Sequence, residues 1–549
     1  MSKFQITALG GIDENGKNCY VLETENDIFI INTGAKIPIN SNNGIDTIIP
    51  DFSWLEANKN KIRAIFITDT KNDSFSALPW LLMNIKGLKI YSSIFNSIII
   101  KERIEKYNIG HSEYEIIKMV KPINFKNLIV RGIPLAGSVP GLLAYDFEFN
   151  SGHVLFMFNF IIGDLGIYGK SDLPLIKRIL GNKPLLALVI DAGMANYPGY
   201  YLDKINLPFY INEVFEKAKP NQRIIIGAYD EEMYSMNKVL ELAKRFDRIV
   251  IFYGKTYAQC MQLLSKINPS QNYPQIADYR KINSINNAVV LVTSTVERLY
   301  QRFLRITNKD DVYLKLKKSD NVLMIAPPIN GIESIAAFTL DEIARITSKI
   351  VDVSSSEYHL HRPHNADIVD SVNFLNPTYV IPVMGLYRYL LHTQNSIIEK
   401  TKLRANNILI SKNGKVIEFV NGKLQPNNNK SRAVGDNIID GFGNGDISSS
   451  VIRERELLSK DGLIAISILF SNKTKKILDE FNINFLGVVA KSQKNELKTF
   501  IRSIIINVLR EEQFNTIRDI QERLRKIIRK KIFKSMDKEP MVIVSFYGI

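Results

Sequence analysis

Residues 4–32 read FQITALGGIDENGKNCYVLETENDIFIIN. Three β-rich runs, Phe4–Leu9, Asn18–Leu22 and Ile28–Asn32, are cut by Gly10-Gly11 and by Glu25-Asn26-Asp27. β-branched and aromatic residues suit a half-buried pleat, and Gly, Asn and Asp supply turns, so the stretch predicts three short consecutive strands. The texture continues outward. Lys61–Thr68 reads as a strand, Ser76–Ile85 has helical spacing, and Leu128–Pro134, Ala144–Phe149 and Val154–Phe160 read as further strands. The apolar run Leu185–Ile190 stops at Asp191, where a strand meets a loop. Such a carboxylate is either functional or a cap.

From about residue 205 strands and helices alternate. Arg223–Ala228, Arg248–Phe252, Asn287–Thr293 and Asn321–Ala326 are strands, and Glu231–Arg245, Thr256–Ser265, Glu297–Arg305 and a segment ending at Ser348 are helices. Strands joined by helices imply a parallel sheet covered on both faces. Leu375–Met384 and Ile408–Phe419 return to strands, and the polar QPNNNKSRA, Gln425–Ala433, reads as a linker. Beyond it, strands at Leu463–Phe470, Phe485–Ala490 and Met541–Phe546 flank helices near 494–511 and 515–534. The boundaries expected are 1–204, 205–350, 351–424, a linker at 425–447 and a small α+β domain at 448–549.

Composition narrows the function classes. Hydrophobic residues are 45% and charged residues 23%, which excludes a disordered or collagen-like chain. The net charge of +15 favours a polyanionic partner such as RNA, DNA or an acidic membrane surface, although richness in Asn, Ile and Lys can reflect base composition instead. Two cysteines, Cys19 and Cys260, exclude a disulfide framework and Cys-based zinc sites, and a reducing cytoplasm is the simplest setting. The start, Met1-Ser2-Lys3-Phe4-Gln5, has no apolar core of a secretory signal. The run Val154–Ile162 is broken by Asn159 and is about half a membrane span, so no transmembrane segment is expected.

Of six histidines, three lie in Tyr358-His359-Leu360-His361-Arg362-Pro363-His364. HxH on a strand puts two imidazoles on one face, a usable metal geometry, but no carboxylate or Cys lies close in sequence and Arg362 adds positive charge. A phosphate-facing or merely polar loop is the competing reading. The segment Arg523–Lys534 is a basic amphipathic helix, with Leu524, Ile527, Ile528 and Ile532 at helical spacing. Its apolar stripe reads as core, and its basic face as a surface for RNA, membrane or solvent.

Three further segments carry a family resemblance: ALGGIDENGKNCYVLETENDIFIINTGAKIP from Ala8, GIDTIIPDFSWL from Gly44, and FITDTKNDSFSALPWLL from Phe66. With Val189-Ile190-Asp191, Pro328-Ile329-Asn330-Gly331, Pro382-Val383-Met384-Gly385, Asp440-Gly441-Phe442-Gly443 and Glu539-Pro540-Met541-Val542-Ile543, they form a colinear set spanning the chain. This set resembles the ribonuclease J family of metallo-β-lactamase-fold, β-CASP ribonucleases. The resemblance implies an α/β fold: an αββα lactamase-like sandwich, an inserted β-CASP α/β domain, and a C-terminal α+β domain used in assembly.

The family's chemistry needs two divalent ions, Zn or Mn/Mg, held by an HxHxDH loop, further His residues and an Asp; the ions activate water for attack on phosphorus. Here the loop reads Asp69-Thr70-Lys71-Asn72-Asp73-Ser74, and only Asp73 keeps its family identity. By alignment a metal His falls on Gly137, the bridging Asp on Asn159, the last metal His on Met384, and an Asp ending the third strand on Asn32. A +1 charge at Lys71 about 4 Å from a +2 ion is repelled by roughly 8 kcal/mol at an effective dielectric of about 20, before relaxation. No cofactor is therefore expected. Lys71 either replaces the lost metal charge and holds an RNA phosphate, or pairs with Asp69 and Asp73 in a dead cavity. Asp73 and Asp191 are the two carboxylates left for a single stray ion.

In the β-CASP part, Gly254-Lys255-Thr256 matches a family GRS loop, and Thr293-Ser294-Thr295-Val296-Glu297 a TGSQGEP loop that has lost its glycines. By resemblance these loops surround a 5′ nucleotide. The RNA-contact candidates are Lys71, Lys255, Ser294, Asn330, His359, His361 and Arg362, with Tyr234 as a stacking candidate. Three functions follow from the resemblance: a catalytically inactive RNA-binding subunit that partners an active ribonuclease J, or itself, in an oligomer; an active nuclease with a rebuilt, metal-poor site of Asp69, Lys71, Asp73 and Asp191; and a scaffold without an RNA role.

Overall fold

A computed structural model describes residues 3–38, 45–268, 273–296, 298–329, 331–426, 430–440, 449–470, 477–511 and 516–548. The chain divides into two compact units, one of residues 1–40 and 47–437, the other of residues 41–46 and 438–549.

In the first unit the opening strands form as Lys3–Gly10, Cys19–Thr24 and Ile28–Ile31, an antiparallel meander. They belong to an eight-stranded sheet that runs on through Ile62–Phe66, Leu88–Ser92 and Tyr114–Lys118. A six-stranded sheet faces it, with Leu185–Asp191 parallel to both Gly152–Met157 and Tyr379–Val383. The two sheets share one apolar core, in which Phe4, Phe29, Phe66, Phe147 and Phe156 are fully buried. Phe66 packs edge-on to Phe147 at 5.3 Å between centroids. These are the central layers of the αββα sandwich.

A separate six-stranded sheet, centred on Ile224–Tyr229, has every strand parallel to its neighbours. Its strands are apolar on both faces because helices cover both, as the alternation after residue 205 predicts. Arg223, buried where that central strand begins, is neutralised by a bidentate pair with Asp320 at 2.6 and 3.0 Å. The lactamase-like sandwich with an inserted parallel α/β block is thus the observed fold.

The second unit is a three-stranded sheet. Leu463–Phe470 is central, antiparallel to Ile477–Leu486 and parallel to Met541–Gly548. The middle strand lies earlier than the expected Phe485–Ala490. The alternation Phe481, Ile483, Phe485 sets its register, and Gly487 at φ 73° turns the chain away. Ile517–Met536 is a helix with Leu524, Ile528 and Ile532 buried, so the apolar stripe is core.

Other departures are local. The helix read over Ser76–Ile85 forms as Leu78–Asn84, and a separate short helix, Asn72–Phe75, precedes it. A helix at Ile94–Glu105, capped by Ser93 Oγ accepting from the Asn96 amide at 3.2 Å, was not legible beforehand; its apolar residues are too dispersed to give a clear period. The segment expected as a linker is held to the first unit over part of its length. Arg432 lies over the Trp54 ring at 4.7 Å and bonds Gln5 and Glu23, and the Gly435 carbonyl accepts from Asp51 N. Asn330 and Gly441-Phe442-Gly443 fall outside the described residues. Among the described residues no helix is long and apolar enough to cross a membrane.

Candidate functional site

Loops at the ends of Ile62–Phe66, Leu185–Asp191 and Tyr379–Val383 converge on a cavity of about 170 Å3, walled on its far side by loops of the parallel-sheet block. Three residues on the loops that build this region hold left-handed backbone: Asn32 at φ 64°, Asn159, which lines the cavity, at 51° and Met384 at 64°. Asn tolerates that region readily and Met does not. Each amide is fixed by a buried bond, to Phe66 O, Asp191 Oδ2 and Gly11 O respectively.

Asp69 is fully buried and its oxygens are already occupied. Oδ2 accepts from Thr68 Oγ1 at 2.8 Å, Ser74 Oγ at 3.1 Å and Asn159 Nδ2 at 3.1 Å, while Oδ1 accepts from the Lys71 amide at 2.9 Å. Asn32 works one step back: its Oδ1 accepts from the Thr68 amide and its Nδ2 donates to Thr68 Oγ1, both at 2.9 Å. Gly137 has no room for a larger residue. An added Cβ would meet the Leu142 side chain at 2.9 Å and Asn159 O at 3.2 Å.

Lys71 is 5% exposed. Its ammonium reaches Glu232 Oε1 and the His361 carbonyl, each at 3.5 Å. This corrects the expected pairing with Asp69 and Asp73: Asp69 spends its Oδ1 on the Lys71 backbone, and the side chain crosses to the parallel-sheet block. Burial lowers the Lys71 pKa, opposed by the charges of Glu231, Asp73 and Asp69. His361 is fully buried, with its amide donating to Glu232 Oε2 at 3.0 Å and Nε2 near Ser235 Oγ at 3.1 Å. Its Nδ1 lies against the same carboxylate. Burial, then Lys71, holds its pKa well below the usual imidazole range.

Arg362 closes the other side. Nε donates to Asp191 Oδ2 at 3.0 Å, and Nη2 to Asp191 Oδ1 at 2.8 Å and Met384 O at 3.2 Å. Asp191 also accepts from the Asn159 and Gly193 amides at 3.0 and 2.8 Å, so its oxygens are taken too. Burial alone would lower the Arg362 pKa, but Asp191 and Asp73 hold it above its ordinary value. Asp73 is pushed up by burial against the pull of Arg362.

This donor set does not suit a pair of divalent ions. Lys71 and Arg362 bring two positive charges to the centre, and Asn159, Gly137 and Met384 supply no anionic or imidazole donor. Among the described residues no group of three or more His, Cys, Asp and Glu is placed to hold a metal ion.

The remaining RNA candidates are scattered. His359, also in the cavity wall, packs against Tyr197 with ring centroids 4.0 Å apart and tilted by 40°. Lys255 is exposed at the start of the helix Lys255–Ile267 and does not line the cavity. Ser294 accepts the Asp230 amide through its carbonyl. Tyr234 meets Tyr168 edge-on at 5.5 Å, with Lys238 over its ring, as a packed helix residue. Sequence reasoning missed Glu231 and Glu232. Their sole signal was an acidic run, Asp230-Glu231-Glu232, directly after an apolar strand.

Residues 221–343 match the model of the ribonuclease J β-CASP domain, and residues 450–549 that of the ribonuclease J C-terminal domain. The chain belongs to the ribonuclease J family. The Ribonuclease J2 of Bacillus subtilis is 25% identical over 98% of this chain and 97% of its own length. That of Staphylococcus epidermidis is 24% identical with the same coverage. An uncharacterised protein of Mycoplasma genitalium is 29% identical over 99% of this chain and 96% of its own.

Proposed function

We propose that this ribonuclease J family protein acts in RNA processing as an RNA-binding subunit that does not cleave RNA by itself, and that it works by partnering an active ribonuclease J in an oligomer. The observation that carries the reading is the saturation of Asp69 and Asp191. Their oxygens already bond to Thr68, Ser74, Asn159, Arg362 and backbone amides, beside the cations Lys71 and Arg362, an arrangement that disfavours a bound divalent ion. The absence of a resident metal is part of this proposal, as are the domain boundaries at 204, 350, 424 and 447. A net charge of +15 supports a polyanionic partner.

The test is metal content and turnover of 5′-monophosphorylated RNA on the purified chain, alone and mixed with an active family member from the same cell. No Zn or Mn, no turnover alone and altered cleavage in the mixture support the subunit reading. Stoichiometric metal with turnover that is lost in Asp73→Asn establishes the rebuilt-site reading instead. No binding of single-stranded RNA at low salt leaves only the scaffold.

A further inference from the structure

At one edge of the parallel sheet the short strand Ile276–Ala277 leads into an exposed pair of aromatic rings. Tyr279 and Tyr313 meet edge to face, with centroids 5.0 Å apart and planes at 85°. Tyr279 is 42% exposed and Tyr313 38%, and Ile276 and Val312 beside them in the chain are exposed as well. Single exposed apolar residues need no explanation, but four on two adjoining segments mark a contact surface. The segments are joined where Asn283 Oδ1 accepts from the Lys315 amide at 3.2 Å.

The pair is anchored from within. The buried Tyr253 ring lies 6.4 Å from Tyr279, carries Arg302 over its face at 4.4 Å, and its hydroxyl donates to Asp311 Oδ1 at 2.6 Å. The same oxygen accepts from the Tyr313 and Leu314 amides at 3.0 and 2.8 Å, which fixes the loop that presents Tyr313. This surface is apart from the cleft. Tyr253, Ile282 and Leu314 belong to the apolar cluster on one face of the sheet, whereas the cluster on the other face takes in Phe95, Ala136 and Ile161 of the sandwich. The edge strand is three places from the central strand Ile224–Tyr229, roughly 14 Å at about 4.8 Å per strand. Neither ring lines the cleft.

Lysines flank the rings. Lys315 Nζ donates to the Lys309 and Asp311 carbonyls at 2.9 and 2.6 Å, and Lys317 Nζ to Asn283 O at 3.0 Å and Asn286 Oδ1 at 3.3 Å. Those acceptors are neutral, so both ammoniums are held in place with their charge uncancelled. Lys281, Lys309 and Lys318 are exposed. Arg280 and Asp278 cancel one another in a bidentate pair at 2.6 and 2.9 Å. Asp310 and Asp311 remain on the acidic side. Residues 276–283 and 309–318 together carry six Lys and Arg against three Asp, a net +3.

We propose that this sheet edge is a second RNA contact outside the cleft, where an unpaired base stacks on the Tyr279–Tyr313 pair and the adjoining phosphates lie beside Lys281, Lys315 and Lys317. The inference rests on the RNA-binding reading above and adds a separate surface to it. Exposed aromatic faces accept a base of any identity, and ammoniums accept phosphate oxygens. An apolar protein segment satisfies the rings and leaves the lysines uncompensated; a simple anion does the reverse. A single strand satisfies both, and a duplex, whose bases are already stacked and paired, satisfies the lysines alone.

The test has two parts, both on the full chain. The wild type is photocrosslinked to a single-stranded RNA 12-mer carrying 5-iodouridine, and the adducts are mapped by peptide mass spectrometry; an adduct on Tyr279 or Tyr313 is expected. Affinity for the same strand is then measured across a salt series for the wild type, Tyr279→Ala, Tyr279→Phe and Lys281→Gln. Loss of one base stack weakens binding about tenfold, so that loss is expected in Tyr279→Ala, with Tyr279→Phe unchanged because it keeps the ring. Losing one phosphate contact flattens the slope of log K against log[salt] by about 0.7 for a single strand, the result expected of Lys281→Gln. Duplex RNA of the same sequence is expected to bind Tyr279→Ala as it binds the wild type. Wild-type RNA binding with no adduct on either ring, and affinity unmoved in Tyr279→Ala, overturns the inference while leaving the RNA-binding reading intact. The crosslink decides the matter if Tyr279→Ala misfolds. Equal losses in Tyr279→Ala and Tyr279→Phe, or equal losses for single strand and duplex in Tyr279→Ala, overturn the stacking contact. Absence of wild-type RNA binding at low salt overturns the RNA-binding reading, and this contact with it.

Discussion

Arg362→Gln tests whether the guanidinium is an internal partner or a group held out for a ligand. Asp191 is fully buried and takes two charge-assisted bonds from Arg362, at 2.8 and 3.0 Å. Hydrogen bonds to charged groups are worth about 1.5–3 kcal/mol each, and breaking a buried pair by removing one partner costs about 3–5 kcal/mol. The Arg362 side chain is 14% exposed, so little of this is screened away, and ~4 kcal/mol is the expected loss. With an unfolding entropy of about 2.1 cal/mol/K per residue over roughly 430 residues, ~0.9 kcal/mol/K, the melting transition of the first unit should fall by about 4 °C. Calorimetry reads this directly. Adding Asp191→Asn removes the orphaned charge and should return a sizeable part of the loss, giving a coupling of about 2–3 kcal/mol in the cycle. A variant that melts with the wild type yet loses RNA affinity would refute the internal-partner argument.

Three further outcomes follow from the same network. His364 is fully buried among Tyr197, Tyr201 and His359 with neither ring nitrogen bonded, and burial lowers its pKa to about 3. The folded state therefore binds fewer protons than the unfolded state, so stability is fully present above pH 6.5 and is lost as pH falls toward 3. His364→Phe should remove about 1.4 kcal/mol per pH unit of that acid sensitivity, read by urea titration across the window. Gly137→Ala should cost about 1–2 kcal/mol, because its Cβ enters the space of Leu142 and Asn159 O; an unchanged urea midpoint would show that the wall yields freely. Asn159→Asp sets a second carboxylate about 3 Å from Asp69. Two such groups share one proton, so the variant should be less stable than the wild type at pH 7 by a few kcal/mol, recover toward pH 5, and bind no Zn by mass spectrometry.

The sandwich and the parallel sheet were legible because their strands are long apolar runs separated by Gly, Asn and Asp, and periodicity reports burial directly. The helix Ile94–Glu105 was not, since its apolar residues give no clean period over its length. At the site, the residue types at Lys71, Gly137 and Met384 could be read position by position. Their partners in space could not. Glu232 lies 161 positions from Lys71, and Arg362 lies 171 from Asp191. Pairs that distant leave no spacing signature in one chain, so the expected Lys71–Asp69–Asp73 cluster was built from neighbours in sequence rather than neighbours in space.

The left-handed turns at Asn32, Asn159 and Met384 have a kinetic consequence. Met384 spends of the order of 1–2 kcal/mol of backbone preference and the two Asn residues less, and each amide is locked by a buried acceptor. An unfavourable turn persists only where its surroundings over-determine it, so slow amide exchange is expected here rather than a hinge. Deuterium should reach these three amides late. A floor held in this way is expected to stay still beneath any molecule that enters the cleft, leaving adjustment to the opposite wall, around Glu231 and Glu232.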